Sequence, residues 1–279
     1  MRQVSPRTSI IISRLVGLAL LAAPAAWADM PILDPVPELR PGLMQGFLHG
    51  QPPLDSKAFV AAPPQSGSPA QQADDADNAA LQNLRDTPRW TFAAKDADLH
   101  FPAAAGIFAC AAGVDITEAR TPALYRLMQR SLTDFGLATY PAKTAYQRPR
   151  PFLVNEAPIC SPEDQEALTT DGSYPSGHSA IGWGWALMLS QLLPERAEAI
   201  LARGQEYARS RRVCNVHWLS DTQAGMIVGA AAFARLQNDA LFLATLEAAR
   251  KELKMATPVD GESQVCRDEA AALALGHGG

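Results

Sequence analysis

Residues 172–185, GSYPSGHSAIGWGW, set a turn-forming run directly against a long apolar segment. Pro175, Ser176 and Gly177 close the turn, and the pattern that follows predicts a buried helix over 177–193. In the first turn of a helix the main-chain N–H groups have no intrahelical partner and carry the positive end of the helix dipole. Ser176 and Gly177 therefore form a ready anion site: glycine lets a ligand approach the main chain, and the serine hydroxyl adds a donor. A capping serine beside a surface histidine has the same local signature. Other segments have to decide between the two.

The first is KTAYQRPRPF, residues 143–152, which crowds Lys143, Arg148 and Arg150 together in an otherwise acidic chain. Pro149 and Pro151 hold the backbone around Arg150 extended, giving its guanidinium a stiff platform. A guanidinium fork beside an ammonium point charge suits a tetrahedral, phosphate-like anion. The second is SRRVCNVHWLSD, residues 210–221, with Arg211, His217 and Asp221. The spacing of His217 and Asp221 puts them on one face of a helix, where the carboxylate reaches the imidazole. An Asp accepting from one ring nitrogen leaves the other with a free lone pair, as a nucleophile or general base requires. Lys143, Arg150, Arg211, a helix N-terminus, His178 and the His217–Asp221 pair are together the parts for phosphoryl transfer without a metal.

Outside these segments the chain of 279 residues is 47% hydrophobic and 19% charged, enough to bury a sizeable core. Arg2, Arg7 and Arg14 lead into an apolar run that closes on Ala26-Trp27-Ala28, so residues 1–28 read as a signal peptide and place the mature chain in the periplasm or outside the cell. The run is too short to span a bilayer, and no stable membrane insertion of the mature chain is expected. Cleavage takes away three arginines and no acids, moving the formal charge from −5 to −8. A chain so acidic does not hold a nucleic-acid polymer through its overall field, so an anionic substrate needs the local basic cluster. In an oxidising compartment the four cysteines suggest disulfides, and their wide spacing does not suggest a zinc site. Three pairings are open.

Residues 29–75, rich in Pro, Gly, Ser and Gln, read as an extended, loop-rich arm. Residues 76–256 read as the catalytic domain, with helices near 78–86, 102–112, 117–139, 177–193, 195–212 and a broken one over 217–253. Strand-forming runs are scarce, so the fold class is all-α, a compact helical globule. Leu124, Leu127, Met128, Leu132 and Phe135 form its clearest core-facing stripe. Residues 257–279 read as a peripheral tail, tied down only if Cys266 is bridged.

Lys143-x6-Arg150-Pro151 as it stands in KTAYQRPRP, PSGH at 175–178, and Ser210-Arg211 followed by His217 and Asp221 resemble the three-part signature of the type 2 phosphatidic acid phosphatase superfamily. GSYPSGH and ITEARTPALYRLM make the chain more narrowly similar to the class A bacterial non-specific acid phosphatases, over roughly residues 45–255. The resemblance implies a helical bundle and hydrolysis of small phosphate monoesters by a homo-oligomer without cofactor or metal. It further implies that Lys143, Arg150, Arg211, Ser176 and Gly177 bind phosphate, that His217 attacks phosphorus with Asp221 orienting it, and that His178 protonates the leaving alcohol. Relatives carry cysteines at positions like Cys160 and Cys214, which implies that disulfide and leaves Cys110 with Cys266. Two other readings stand beside it: a vanadium-dependent haloperoxidase of the same superfamily, and a periplasmic anion-binding protein without turnover, which has no use for an acid at His178.

Overall fold

In the computed structural model, Met1 and residues 32–276 are described. The signal peptide expected over 1–28 lies, Met1 apart, outside the described residues. A small antiparallel hairpin, β1 (Glu38–Arg40) and β2 (Leu43–Met44), is followed among the described residues by one isolated antiparallel bridge, between Val114 and Pro258, and by helices. These are α1 (Pro69–Leu81), α2 (Pro88–Lys95), α3 (Ala109–Ala112), α4 (Pro122–Leu137), α5 (Tyr140–Tyr146), α6 (Pro151–Asn155), α7 (Gln165–Thr170), α8 (Gly177–Leu192), α9 (Ala197–Val213), α10 (Leu219–Leu236), α11 (Ala240–Leu253) and α12 (Gln264–Ala274). The all-α class is observed, and no helix among the described residues is long and apolar enough to cross a membrane.

Prolines set many of the helix starts. Pro69, Pro88, Pro122 and Pro151 each stand in the first turn, where the missing N–H costs nothing and φ is already helical. This corrects several expected boundaries. The helix expected near 78 begins at Pro69, capped by Ser68 accepting from the Gln71 N–H, so the region read as an extended, loop-rich arm over 29–75 already contains the first half of α1. The segment 117–139 starts as a helix only at Pro122, and α12 lies inside the tail expected to be peripheral. The remainder of the arm is not loose. Asp134 on α4 accepts from the main-chain N–H groups of Phe47 (2.8 Å) and Leu48 (3.0 Å), while Arg130 donates to the carbonyls of Gln45 and Gly46.

Helix α8 is the centre of the bundle, packed against α4, α9 and α10. Leu124, Leu127, Met128 and Phe135 of α4 are fully buried and Leu132 nearly so, as the stripe predicts. Trp185 of α8 is completely buried and donates its indole N–H to the carbonyl of Met128 (3.1 Å) and to Ser131 Oγ (3.2 Å). Cys160 is joined to Cys214 and Cys110 to Cys266, with Cα separations of 4.7 and 5.5 Å. The first bridge fixes the loop after α6 to the end of α9, just before His217; the second ties α12 to α3.

Helix α10 approaches α8 closely enough that Gly225 faces the carbonyl of Ser176, and a Cβ there would collide with main chain. Backbone cannot swing aside as a side chain can, so Gly225→Ala is expected to cost about 1–3 kcal/mol through overpacking. Because the displaced group is the cap of α8, anion affinity is expected to fall with stability. Chemical denaturation with phosphate titration on the same samples checks both; an unshifted denaturation midpoint would show that the two helices can separate freely.

Candidate active site

The cations meet at the start of α8. A cavity of about 180 Å³ is lined by Lys143, Arg150, Asp171, Gly177, His178 and His217, with Arg40 and Leu43 of the arm and Leu132, Leu137 and Tyr140 at its apolar side. Ser176, Arg211 and Asp221 lie behind this lining, each fully buried. All eight residues expected to form the site therefore converge, although they come from five separate stretches of helix and loop. Arg212, which adds a second positive charge to the third motif, does not line the cavity and pairs with Asp77 (2.5 Å).

Ser176 is the N-cap of α8, with extended φ/ψ, and its Oγ accepts from the Ser179 N–H (3.2 Å) and from the Ser179 hydroxyl (2.9 Å). Both acceptor positions being taken, its own O–H is left to donate. Capping and anion-site readings of this serine are thus compatible: the cap holds the hydroxyl in place, and Gly177 faces the cavity.

His217 and Asp221 do not share a helix face, contrary to the spacing argument. Helix α10 starts at Leu219, so His217 stands before the cap residue Trp218 while Asp221 is in the first turn, accepting from the Trp218 N–H (2.8 Å). The pair still forms because the chain doubles back at this cap. Nδ1 of His217 lies 3.5 Å from Asp221 Oδ2, within ion-pair reach but too long for a hydrogen bond, so Nδ1 has no hydrogen-bond partner among the described residues. On the other side Nε2 faces Nη1 of Arg150 at 3.0 Å. A guanidinium only donates, so Nε2 carries the lone pair and Nδ1 the proton, directed at Asp221. Catalytic contacts of this length commonly tighten when substrate is bound.

His178 is oriented in the opposite sense. Its Nε2 lies 3.0 Å from the carbonyl of Ala97, an acceptor only, so Nε2 holds a proton and Nδ1 is the nitrogen free to exchange one. Burial, followed by the charge of Arg211, holds His178 well below the ordinary imidazole value, and burial with Arg150 and Lys143 does the same for His217. Both rings are therefore neutral near neutral pH. Lys143 is lowered to about 8 by burial and the neighbouring Arg150, against the pull of Asp171.

Two residues outside the expected set shape the site. Arg148 forks between Asp221 Oδ1 (2.6 Å) and Asp74 Oδ2 (2.7 Å), both carboxylates being buried. Burial pushes the Asp221 carboxyl upward, and Arg148 is the largest influence pulling it back. Asp171 pairs with Arg150 (2.9 Å) and Lys143 (3.2 Å) at once. Sequence placed Arg148 among the cations but gave it no role; Asp171 had only its position next to the quoted GSYPSGH as a signal.

Arg211 has the opposite character. It is fully buried, yet Nε and Nη1 find no hydrogen-bond partner among the described residues. A buried cation left this way costs several kcal/mol unless an anion satisfies it. Among the described residues no group of three or more His, Cys, Asp or Glu is arranged to hold a metal ion.

The family model for the PAP2 superfamily matches residues 129–240, the span that holds Lys143, Arg150, Asp171, Gly177, His178 and His217 of this cavity. An acid phosphatase of Zymomonas mobilis is 44% identical over 206 residues, covering 72% of this chain and 76% of its own. Non-specific acid phosphatases of Salmonella typhi and Providencia stuartii are 40% and 41% identical, covering 75% and 74% of this chain and 84% of each relative. With that identity over most of both chains and the three motifs folded into one basic cavity, the chain belongs to the PAP2 superfamily, in the group it forms with these acid phosphatases.

Proposed function

We propose that the protein is an acid phosphatase that hydrolyses phosphate monoesters through a covalent phosphohistidine on His217, without a metal. The observation that carries this reading is the buried, unsatisfied guanidinium of Arg211 behind a cavity that also holds Lys143, Arg150 and two neutral imidazoles. A tetrahedral dianion supplies the missing acceptors, with the Ser176 hydroxyl and the Gly177 N–H completing the cradle.

On binding, the phosphoryl oxygens take over Nη1 of Arg150 from His217, which frees the Nε2 lone pair. Nε2 attacks phosphorus, the P–O ester bond breaks, and the leaving oxygen takes the proton from His178. His178, neutral near neutral pH, takes up that proton at Nδ1 from solvent before the bond breaks; the charge of the bound phosphate raises the imidazole back, and acid pH assists. Water, losing a proton to His178, then attacks phosphorus, the P–N bond breaks, and inorganic phosphate leaves with His217 regenerated. An alcohol in place of that water gives phosphotransfer. Asp221 stabilises the charge that His217 develops, and the cations stabilise the equatorial oxygens.

Quenching turnover of an aryl phosphate in alkaline denaturant, then mass-analysing the peptides, is expected to find one phosphate on His217. Turnover should persist in excess chelator and decline as pH rises through about 8, where Lys143 loses its charge. Loss of activity in chelator, or label on another residue, would replace this mechanism.

A further inference from the structure

We infer that Asp171 is an internal competitor for the phosphate cradle: its carboxylate holds the two cations that the substrate needs, and substrate binds by displacing it. The inference rests on the phosphatase reading above and concerns how tightly the same site takes an oxyanion.

The argument starts from the donors of Arg150. A guanidinium has five N–H groups, and here each has an acceptor. Nε donates to the carbonyl of Asp171 (2.9 Å), Nη1 faces the carbonyl of Val216 (2.9 Å) and His217 Nε2 (3.0 Å), and Nη2 faces Asp171 Oδ2 (2.9 Å) and the carbonyl of Gly172 (3.4 Å). Arg150 is thus saturated where Arg211 is not. Three of its acceptors are main-chain carbonyls, which cannot leave without moving the loop. Of the two side-chain acceptors, His217 is neutral near neutral pH, so among the described residues the one anion hydrogen-bonded to Arg150 is the carboxylate of Asp171.

That carboxylate also lies 3.2 Å from Nζ of Lys143. A single Oδ2 therefore sits between the two cations, the place of one oxygen of a bound phosphate. Its position is not needed to hold them there. Lys143 donates to the carbonyl of Gly172 at 2.5 Å, and the carbonyls of Asp171 and Gly172 keep Arg150. The loop itself is wedged, with Gly172 packed against the main chain of Gln147 and Lys143. The main chain does the placing, and the carboxylate, about one third exposed, is free to turn outward to water.

An occupant of this kind weakens an incoming anion by the fraction of time it holds the cations. Its removal should strengthen phosphate binding, whereas removal of a residue that merely positions the cations should weaken it. The test is a calorimetric titration of the full-length mature protein with inorganic phosphate, beside the KM for an aryl phosphate. Asp171→Asn, which keeps the shape, is expected to lower Kd for phosphate about five-fold, with KM moving the same way, the size of effect carried by an ion pair whose carboxylate is partly open to water and screened by it. Asp171→Ala provides the same comparison should the amide form new bonds to the cations, and thermal melting verifies that both are folded. Unchanged or weaker phosphate binding in both variants overturns the inference. Lys143→Met separates it from the reading beneath: if that substitution leaves wild-type phosphate binding unaltered, the cavity is not the phosphate site at all, whereas a loss with Lys143→Met and no gain with Asp171→Asn removes the competitor alone.

Discussion

His217→Ala is expected to lower kcat/KM for an aryl phosphate by at least about a thousandfold while inorganic phosphate still binds, because the nucleophile is lost but the cradle is kept. The imidazole is almost wholly buried and lines the cavity, its Nε2 lone pair is met by Nη1 of Arg150, and among the described residues neither His178 nor Ser176 has this setting: the ion pair with Asp221 belongs to His217, and both acceptor positions of Ser176 Oγ are taken by Ser179. Alanine also releases Nη1 of Arg150, so phosphate affinity should hold or rise. The pH response supplies an independent reading. His217 and His178 titrate well below the ordinary imidazole value of about 6.5 in the folded protein. With folded values depressed, the unfolded chain binds more protons, so stability is fully present above about pH 6.5 and declines as pH falls toward the folded values. His217→Ala removes one of these two contributions and should flatten the acid side of a stability-against-pH curve. Residual activity within tenfold of the wild type would transfer the nucleophile to another group.

Much of this site could be read in advance because the chemistry was concentrated in short motifs. Three clusters of unusual residues named the cations and both imidazoles, and it was their joint presence that turned a serine and glycine at a helix start from an ordinary cap into a candidate anion site. The core stripe of α4 was equally local, since helical periodicity records which face is buried. What stayed hidden was geometry set by distant contacts. The His217–Asp221 pair was right in its partners and wrong in its reason: the chain turns at Trp218, and the Asp caps the helix that His217 precedes. Helix α1 was obscured by its neighbours, because Ser68-Pro69 stands in a Pro/Gly/Ser-rich run where a cap signal looks like one more turn. Asp171 had no signal beyond its place before GSYPSGH; only the folded chain brings it between two cations. The buried network beneath Asp221 was out of reach for the same reason, since Asp74 and Arg148 meet only through folding.

That network leads to the second large expected effect. Arg148 contacts Asp221 Oδ1 (2.6 Å), Ser220 Oγ (2.8 Å), Asp74 Oδ2 (2.7 Å) and Gln71 Oε1 (2.7 Å), and its guanidinium stacks 5.3 Å from the Trp218 ring centre. Asp74 is further fixed by the Ser220 N–H (2.8 Å) and hydroxyl (2.7 Å), so α1 is stapled to the first turn of α10 directly under His217. Replacing Arg148 by Met preserves bulk and apolar contact with Trp218 but leaves two buried carboxylates without their cation. Breaking a buried pair in this manner costs about 3–5 kcal/mol. Activity should fall as well, because the burial that already raises the Asp221 carboxyl then loses its strongest opponent, with hydrogen bonds such as that from the Trp218 N–H left to hold it down, and a protonated Asp221 no longer stabilises the charge on His217. Asp74→Asn in the Arg148→Met background separates the two effects. It neutralises one orphaned carboxylate, so part of the stability should return, while Asp221 stays unpaired and kcat stays low. Urea denaturation and steady-state kinetics on the wild type and both variants measure this directly. Recovery of kcat together with stability would mean that Arg148 serves the catalytic histidine only by holding the fold, whereas recovery of stability alone places the electrostatics of Asp221 within the chemistry.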